Sequence, residues 1–180
     1  DDVPGVLTRG RSINAQPDAR PVAVIDVGSN SVRLVVYDAA RRVPMPVFNE
    51  KVLCGLGRGI DSTGRLDPEG VTMALDALQR FAVLTDSMGV DDLTVIATAA
   101  VREAEDGGAF VDAVEQRCGL KIQPIPGEEE ARLSALGVLS AIPEADGLVG
   151  DLGGASFEVV RVGGGTIHRQ ETLPIGPIRL

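Results

Sequence analysis

The chain has 180 residues, 44 % of them hydrophobic, which is enough to build one core of ordinary size and argues against general disorder. Its 17 Lys and Arg face 26 Asp and Glu, a formal charge of −9, so it lacks the cationic surface that nucleic acid requires. Two distant cysteines, Cys54 and Cys118, and a single histidine argue against a Cys/His metal site and fit free thiols in a reducing cytoplasm, and no stretch reaches the length of a membrane span.

Residues 1–20 mix Asp, Arg, Gly, Pro, Asn and Gln without apolar periodicity and read as a mobile tail. Apolar runs at 22–25 and 32–37 then flank a glycine turn, giving strand, turn, strand. Residues 44–53 form a third strand whose Pro44 and Pro46 suit an edge. Gly55, Gly57, Gly59 and Gly64 mark a loop. Asp67-Pro68-Glu69 reads as N-cap, first-turn proline and an acid near the positive helix end, so a helix runs to about Met88 on a stripe of Val71, Leu75, Leu78 and Ala82.

A buried strand at 93–97 precedes a helix carrying Phe110, Val111, Val114 and Cys118, which ends at Gly119. Residues 121–125 are a further strand, weakened by Pro124. Gly127-Glu128-Glu129-Glu130 opens the next helix with its acids at the positive end and Leu133, Leu136 and Leu139 among its apolar positions. A second glycine hairpin follows, and then a strand, Gly163-Gly164-Gly165 and a last strand to Leu173. The order βββαβαβαβββ predicts a mixed α/β domain, both halves contributing antiparallel pairs to one sheet with flanking helices.

One phrase occurs twice: Asp26-Val27-Gly28-Ser29-Asn30-Ser31 and Asp151-Leu152-Gly153-Gly154-Ala155-Ser156 share the frame Asp-x-Gly-x-x-Ser. Glycine permits positive φ and a close backbone approach, so successive N–H groups and a Ser hydroxyl can converge on phosphate oxygens. One such hairpin alone is an ordinary turn. Two can grip a single phosphate from both sides.

Four stretches carry a likeness in order: Val24-Ile25-Asp26-Val27-Gly28-Ser29-Asn30-Ser31-Val32-Arg33-Leu34, Ala97-Thr98-Ala99-Ala100-Val101-Arg102-Glu103-Ala104, Gly127-Glu128-Glu129-Glu130-Ala131-Arg132-Leu133 and Asp151-Leu152-Gly153-Gly154-Ala155-Ser156-Phe157-Glu158. The chain resembles, from about Pro21 to its end, the exopolyphosphatase/guanosine pentaphosphate phosphohydrolase family. That family belongs to the superfamily of sugar kinases, heat-shock ATPases and actin. The resemblance therefore implies a ribonuclease H-like domain over residues 21–180, the first of two, with the second expected to be absent from this chain. Its expected partners are polyphosphate or guanosine pentaphosphate, the second domain of the same polypeptide and, in the full-length protein, a second copy in a homodimer, while the lack of a membrane span and of a secretory signal's apolar core predicts a soluble cytoplasmic protein.

The implied reaction is removal of a terminal phosphate from polyphosphate or guanosine pentaphosphate. Glu130 matches the family's catalytic carboxylate, Arg102 its phosphate-holding arginine, and Asp151 an acid that binds Mg²⁺ or the nucleophilic water. Asp26 and Glu158 complete the implied Mg²⁺ set. The backbone of Gly28, Ser29, Asn30 and Ser31, and of Gly153, Gly154, Ala155 and Ser156, would hold the phosphate. Glu128, Glu129 and site closure are expected to raise the Glu130 pKa, and the helix end to lower it. Arg33, Arg58 and Arg132 are the other nearby cations. Ala155 and Phe157 depart from the family's usual Gly and Thr, leaving the second turn's geometry open. His168, without an acid or cysteine partner, reads as a surface hairpin residue. An ATP-dependent kinase of the same superfamily and a non-catalytic phosphate-binding module are the alternatives.

Overall fold

The computed structural model describes residues 20–178. Apart from Arg20, the expected tail lies outside the described residues. Strands β1 (Val22–Val27), β2 (Ser31–Tyr37) and β3 (Pro46–Leu53) form an antiparallel meander, and β4 (Asp92–Ala97) and β5 (Gln123–Pro124) extend it in parallel, in the order β3-β2-β1-β4-β5. This is the ribonuclease H-like arrangement that the resemblance implied. Alternation drives it: Ala23, Ile25 and Val27 of β1 and Val32, Leu34 and Val36 of β2 are buried on one face. Helices α2 (Pro68–Ser87) and α4 (Gly107–Cys118) cover that face with Leu78, Phe81, Phe110 and Val114. Their ends follow the sequence signals, with Asp67 accepting from the Gly70 amide at 2.8 Å and Gly119 closing α4 at φ 67°.

Several expectations need correction. The loop at 55–64 contains a one-turn helix, α1 (Ile60–Thr63), and the segment after β4 forms α3 (Ala99–Glu103). The strand expected at 121–125 shrinks to two residues, where Pro124 cannot donate to a ladder. The strands do not share one sheet. After β5 the chain enters α5 (Gly127–Ala141) and starts a separate antiparallel sheet, β6 (Gly147–Leu152), β7 (Phe157–Gly163) and β8 (Thr166–Leu173), in the order β6-β7-β8.

That second sheet has its own small core, in which Ala131, Ala135 and Leu139 of α5 meet Val160 and Val162 of β7. The packing face of α5 is therefore the row Ala131, Ala135 and Leu139 at i, i+4 and i+8, whose two alanines let helix and sheet approach closely, while Leu133 and Leu136 remain 38 % and 40 % exposed. Two cores explain two sheets: α5 buries its small face on β7 and β8 rather than on the five-stranded sheet.

Candidate active site

The two glycine turns come from different sheets and meet. Each closes identically: the Gly28 amide donates to the Ser31 carbonyl at 2.9 Å, and the Gly153 amide to the Ser156 carbonyl at 2.9 Å. Those two amides are spent on the turns, contrary to the expectation that they would face phosphate. Neither hairpin uses the positive φ expected of its glycines. Close approach is the reason for glycine here. A Cβ on Gly154 would lie 2.9 Å from Ile178 Cδ1, 3.2 Å from Ser29 Cβ and 3.4 Å from Asn30 Cβ. Ala155 is 1 % exposed in ordinary backbone, so the departure from Gly carries no strain. Phe157 alternates with Glu158 along β7, and its ring lies against Gly150, outside the cavity lining.

The first turn is braced from behind. Asn30 O accepts the Cys54 and Gly55 amides at 3.0 Å each, Ser29 O accepts Gly57 N at 2.8 Å, and Ser29 Oγ accepts the Ala100 amide at 3.2 Å. The Ser29 hydroxyl proton is left to donate forward. Between the turns lies a cavity of about 380 Å³. Gly28 to Ser31 line one side and Gly153 to Ser156 the other, and Asp26, Glu130 and Asp151 are also in its lining.

The strand registers bring the charges together. Asp26 on β1 stands opposite Arg33 on β2, which stands opposite Lys51 on β3. In the second sheet the corresponding row is Asp151, Glu158 and Thr172. Lys51, Thr98, Pro177 and Ile178 also line the cavity and were missed from sequence. Counting register outward from the first glycine turn would have found Lys51, but the β2–β3 connection is too long to set that register without coordinates. Of the expected cations, Arg33 donates to Asn49 at 2.9 Å, Arg132 pairs with Glu129 at 2.7 Å and Arg58 lines a different cavity, so none lines this one. His168 is exposed, its ring beside the Gly163 carbonyl.

Glu130 lies in the first turn of α5, and Arg102 reaches it from α3. The guanidinium holds the Ile125 carbonyl at 2.9 Å and the Glu130 carboxylate at 3.1 Å, fixing the helix start and the acid together. Burial pushes the Glu130 pKa above its ordinary value, Arg102 pulls it down, and Asp26 and Asp151 push it up. The sequence left the net direction open between raising acids and a lowering helix end; the structure gives a raised pKa, and the acids that contribute are Asp26 and Asp151, not Glu128 and Glu129. Asp26 is raised by burial and then by Asp151, against Arg33 and Lys51. Glu158, 1 % exposed, is raised by burial, held down by Ser156, and raised further by Glu130 and Asp151. Asp151 accepts a hydrogen bond from Ser134.

One oxygen of Asp26 and one of Glu158 are buried without a partner. The Asp26 oxygen belongs to a residue that lines the cavity, and a hard, unsatisfied carboxylate oxygen there suits a divalent cation that retains water. Among the described residues no three acids converge tightly enough to cage an ion alone. The expected set Asp26, Asp151 and Glu158 is not gathered into such a cluster.

Similarity to known proteins agrees with this geometry. A sequence profile of the Ppx/GppA phosphatase family matches residues 16–180. "Exopolyphosphatase 1" of Mycobacterium bovis is 34 % identical over 165 residues, covering 88 % of this chain and 47 % of that protein. The crystal structure of an exopolyphosphatase from Cytophaga hutchinsonii superposes with a TM-score of 0.81 at 31 % identity, covering 87 % of this chain and 51 % of that one. The Aquifex aeolicus family member superposes at 0.78 and 30 % identity, covering 90 % and 53 %. The chain thus spans about half the length of the relatives it matches. With both glycine turns on one cavity and the profile running through nearly every described residue, the chain belongs to the Ppx/GppA phosphatase family.

Proposed function

We propose that this chain carries the phosphate-gripping and water-activating groups of a phosphoanhydride hydrolase that removes terminal phosphate from inorganic polyphosphate, guanosine pentaphosphate or both. One observation carries the reading: two turns with the same closing hydrogen bond touch at a single cavity that Glu130 also lines.

The outward amides of the two turns and the Ser29 hydroxyl receive the terminal phosphoryl oxygens and meet the charge that spreads over them as the bond to the leaving phosphate loosens. Lys51, a cation in the cavity lining, offsets part of the substrate's charge. Glu130 orients a water in line with that bond and accepts its proton. Its raised pKa strengthens it as a base, while Arg102 fixes its direction. Asp26 and Asp151 would hold Mg²⁺, with Glu158 behind them, and the ion would supply charge neutralisation at the phosphate.

The test measures orthophosphate release by the complete gene product with Mg²⁺, using polyphosphate and guanosine pentaphosphate in turn. Release from at least one is expected, and Glu130→Gln lowers kcat by about 10²–10⁴-fold while substrate binding persists. Wild-type turnover in Glu130→Gln overturns the base assignment. Transfer of phosphate to a sugar without net release overturns the hydrolase reading in favour of a kinase, and binding without turnover points to a regulatory module.

A further inference from the structure

Resting on that hydrolase reading, we propose that Thr172 is a positioning residue: its hydroxyl donates to Glu158 Oε1, by rotation or through one bridging water, and so fixes the carboxylate beside Asp151.

The two equivalent rows of the sheets differ in how they answer their acids. In the first, Asp26 is followed across the strands by Arg33 and Lys51, two cations. In the second, Asp151 is followed by another acid, Glu158, and then by Thr172. Directly opposed residues of an antiparallel pair share a face with Cβ atoms about 4.5–5.5 Å apart. The Glu158 carboxylate therefore has acid on its β6 side and a hydroxyl on its β8 side.

Each of these opposed residues carries an atom without a partner. Glu158 Oε1 and Thr172 Oγ1 are buried and make no hydrogen bond to any protein group, although Ser156 engages the Glu158 carboxylate. One orphan is an acceptor and the other carries a donor. Buried polar groups are almost always paired, directly or through ordered water, so two complementary orphans on opposed residues satisfy each other at least cost.

Thr172 also touches the helix that bears Glu130. A Cβ on Gly127 would stand 2.9 Å from Thr172 Cγ2 and 3.0 Å from its Oγ1, so α5 begins seated on this side chain. Gln170, two residues earlier, donates to the Glu128 carbonyl at 3.0 Å on the same face. Thr172 thus stands between Glu158 and the first turn of α5.

The experiment compares Thr172→Val and Thr172→Ser in the complete gene product. Thr172→Val keeps the shape and removes the donor, so kcat for orthophosphate release falls about tenfold with KM within about twofold, and Thr172→Ser restores kcat. Unchanged kcat in Thr172→Val overturns the proposal, as does equal impairment of Thr172→Ser, which would assign the effect to methyl packing on Gly127. A second measurement needs no turnover: melting temperatures of Thr172→Val, Glu158→Gln and the double variant shift non-additively if the pair interacts, and additive shifts overturn it. An inactive wild type with non-additive shifts would sink the hydrolase reading and leave the pair standing.

Discussion

Under the proposed reaction, the Arg102–Glu130 ion pair sets both the direction and the strength of the base. The guanidinium lowers the Glu130 pKa against burial and two acids that raise it. Replacing Arg102 with Met removes the lowering influence, so the carboxylate holds its proton to higher pH. The acidic limb of kcat/KM should then move upward relative to wild type, measured as phosphate release across pH; a limb that stays in place or moves down refutes the coupling. Glu158 makes the opposite point about stability. Its folded-state pKa lies above the ordinary glutamate value. The stability it contributes is full below the unfolded-state value and lost as pH rises through the raised folded one. Glu158→Gln carries no such cost, so at about pH 8 it should melt above wild type, with the gap closing toward about pH 4. Differential scanning fluorimetry across pH reads this directly, and a variant less stable than wild type at high pH contradicts it.

At the level of elements, the site depends on hairpins from two sheets lying in contact. Gly154 is the point of closest approach, where a methyl would meet Ile178 and Ser29 at 2.9 and 3.2 Å. Gly154→Ala should therefore separate the turns and cost about 100-fold in kcat/KM, since displacement of about 1 Å in a positioned site has that effect. Ala155→Gly, one residue on, is the control and should retain activity, because Ala155 already sits in ordinary backbone. Equal loss in both variants would locate the damage in turn flexibility instead. The bracing bonds from Cys54, Gly55, Gly57 and Ala100 show why the loop after β3 and the start of α3 belong to the site without touching the cavity's centre.

At the scale of the whole molecule, the second sheet leaves apolar surface open. β6 pairs with β7 alone among the described strands, and Leu148 on it is 73 % exposed, with Leu152 at 62 %. An unpaired edge beside exposed leucines favours association with another chain. A polypeptide limited to these 180 residues should self-associate in a concentration-dependent way, and Leu148→Lys should reduce this in light scattering. A monodisperse monomer at high concentration would show that the edge is protected. No helix among the described residues is long and apolar enough to cross a membrane.

Local chemistry was legible in the chain because it depends on neighbours in sequence. The cap at Asp67, the glycine end of α4, the alternation of β1 and β2 and the paired Asp-x-Gly-x-x-Ser turns all follow from backbone geometry over a few residues. Leu133 and Leu136 misled because apolar periodicity does not say which stripe a sheet accepts, and packing chose the smaller alanines. The division into two sheets, the Lys51 and Thr172 rows and the Arg102–Glu130 pair were decided only in three dimensions. Register across strands and contact between separate cores depend on residues tens of positions apart, and no local pattern fixes the distance between them.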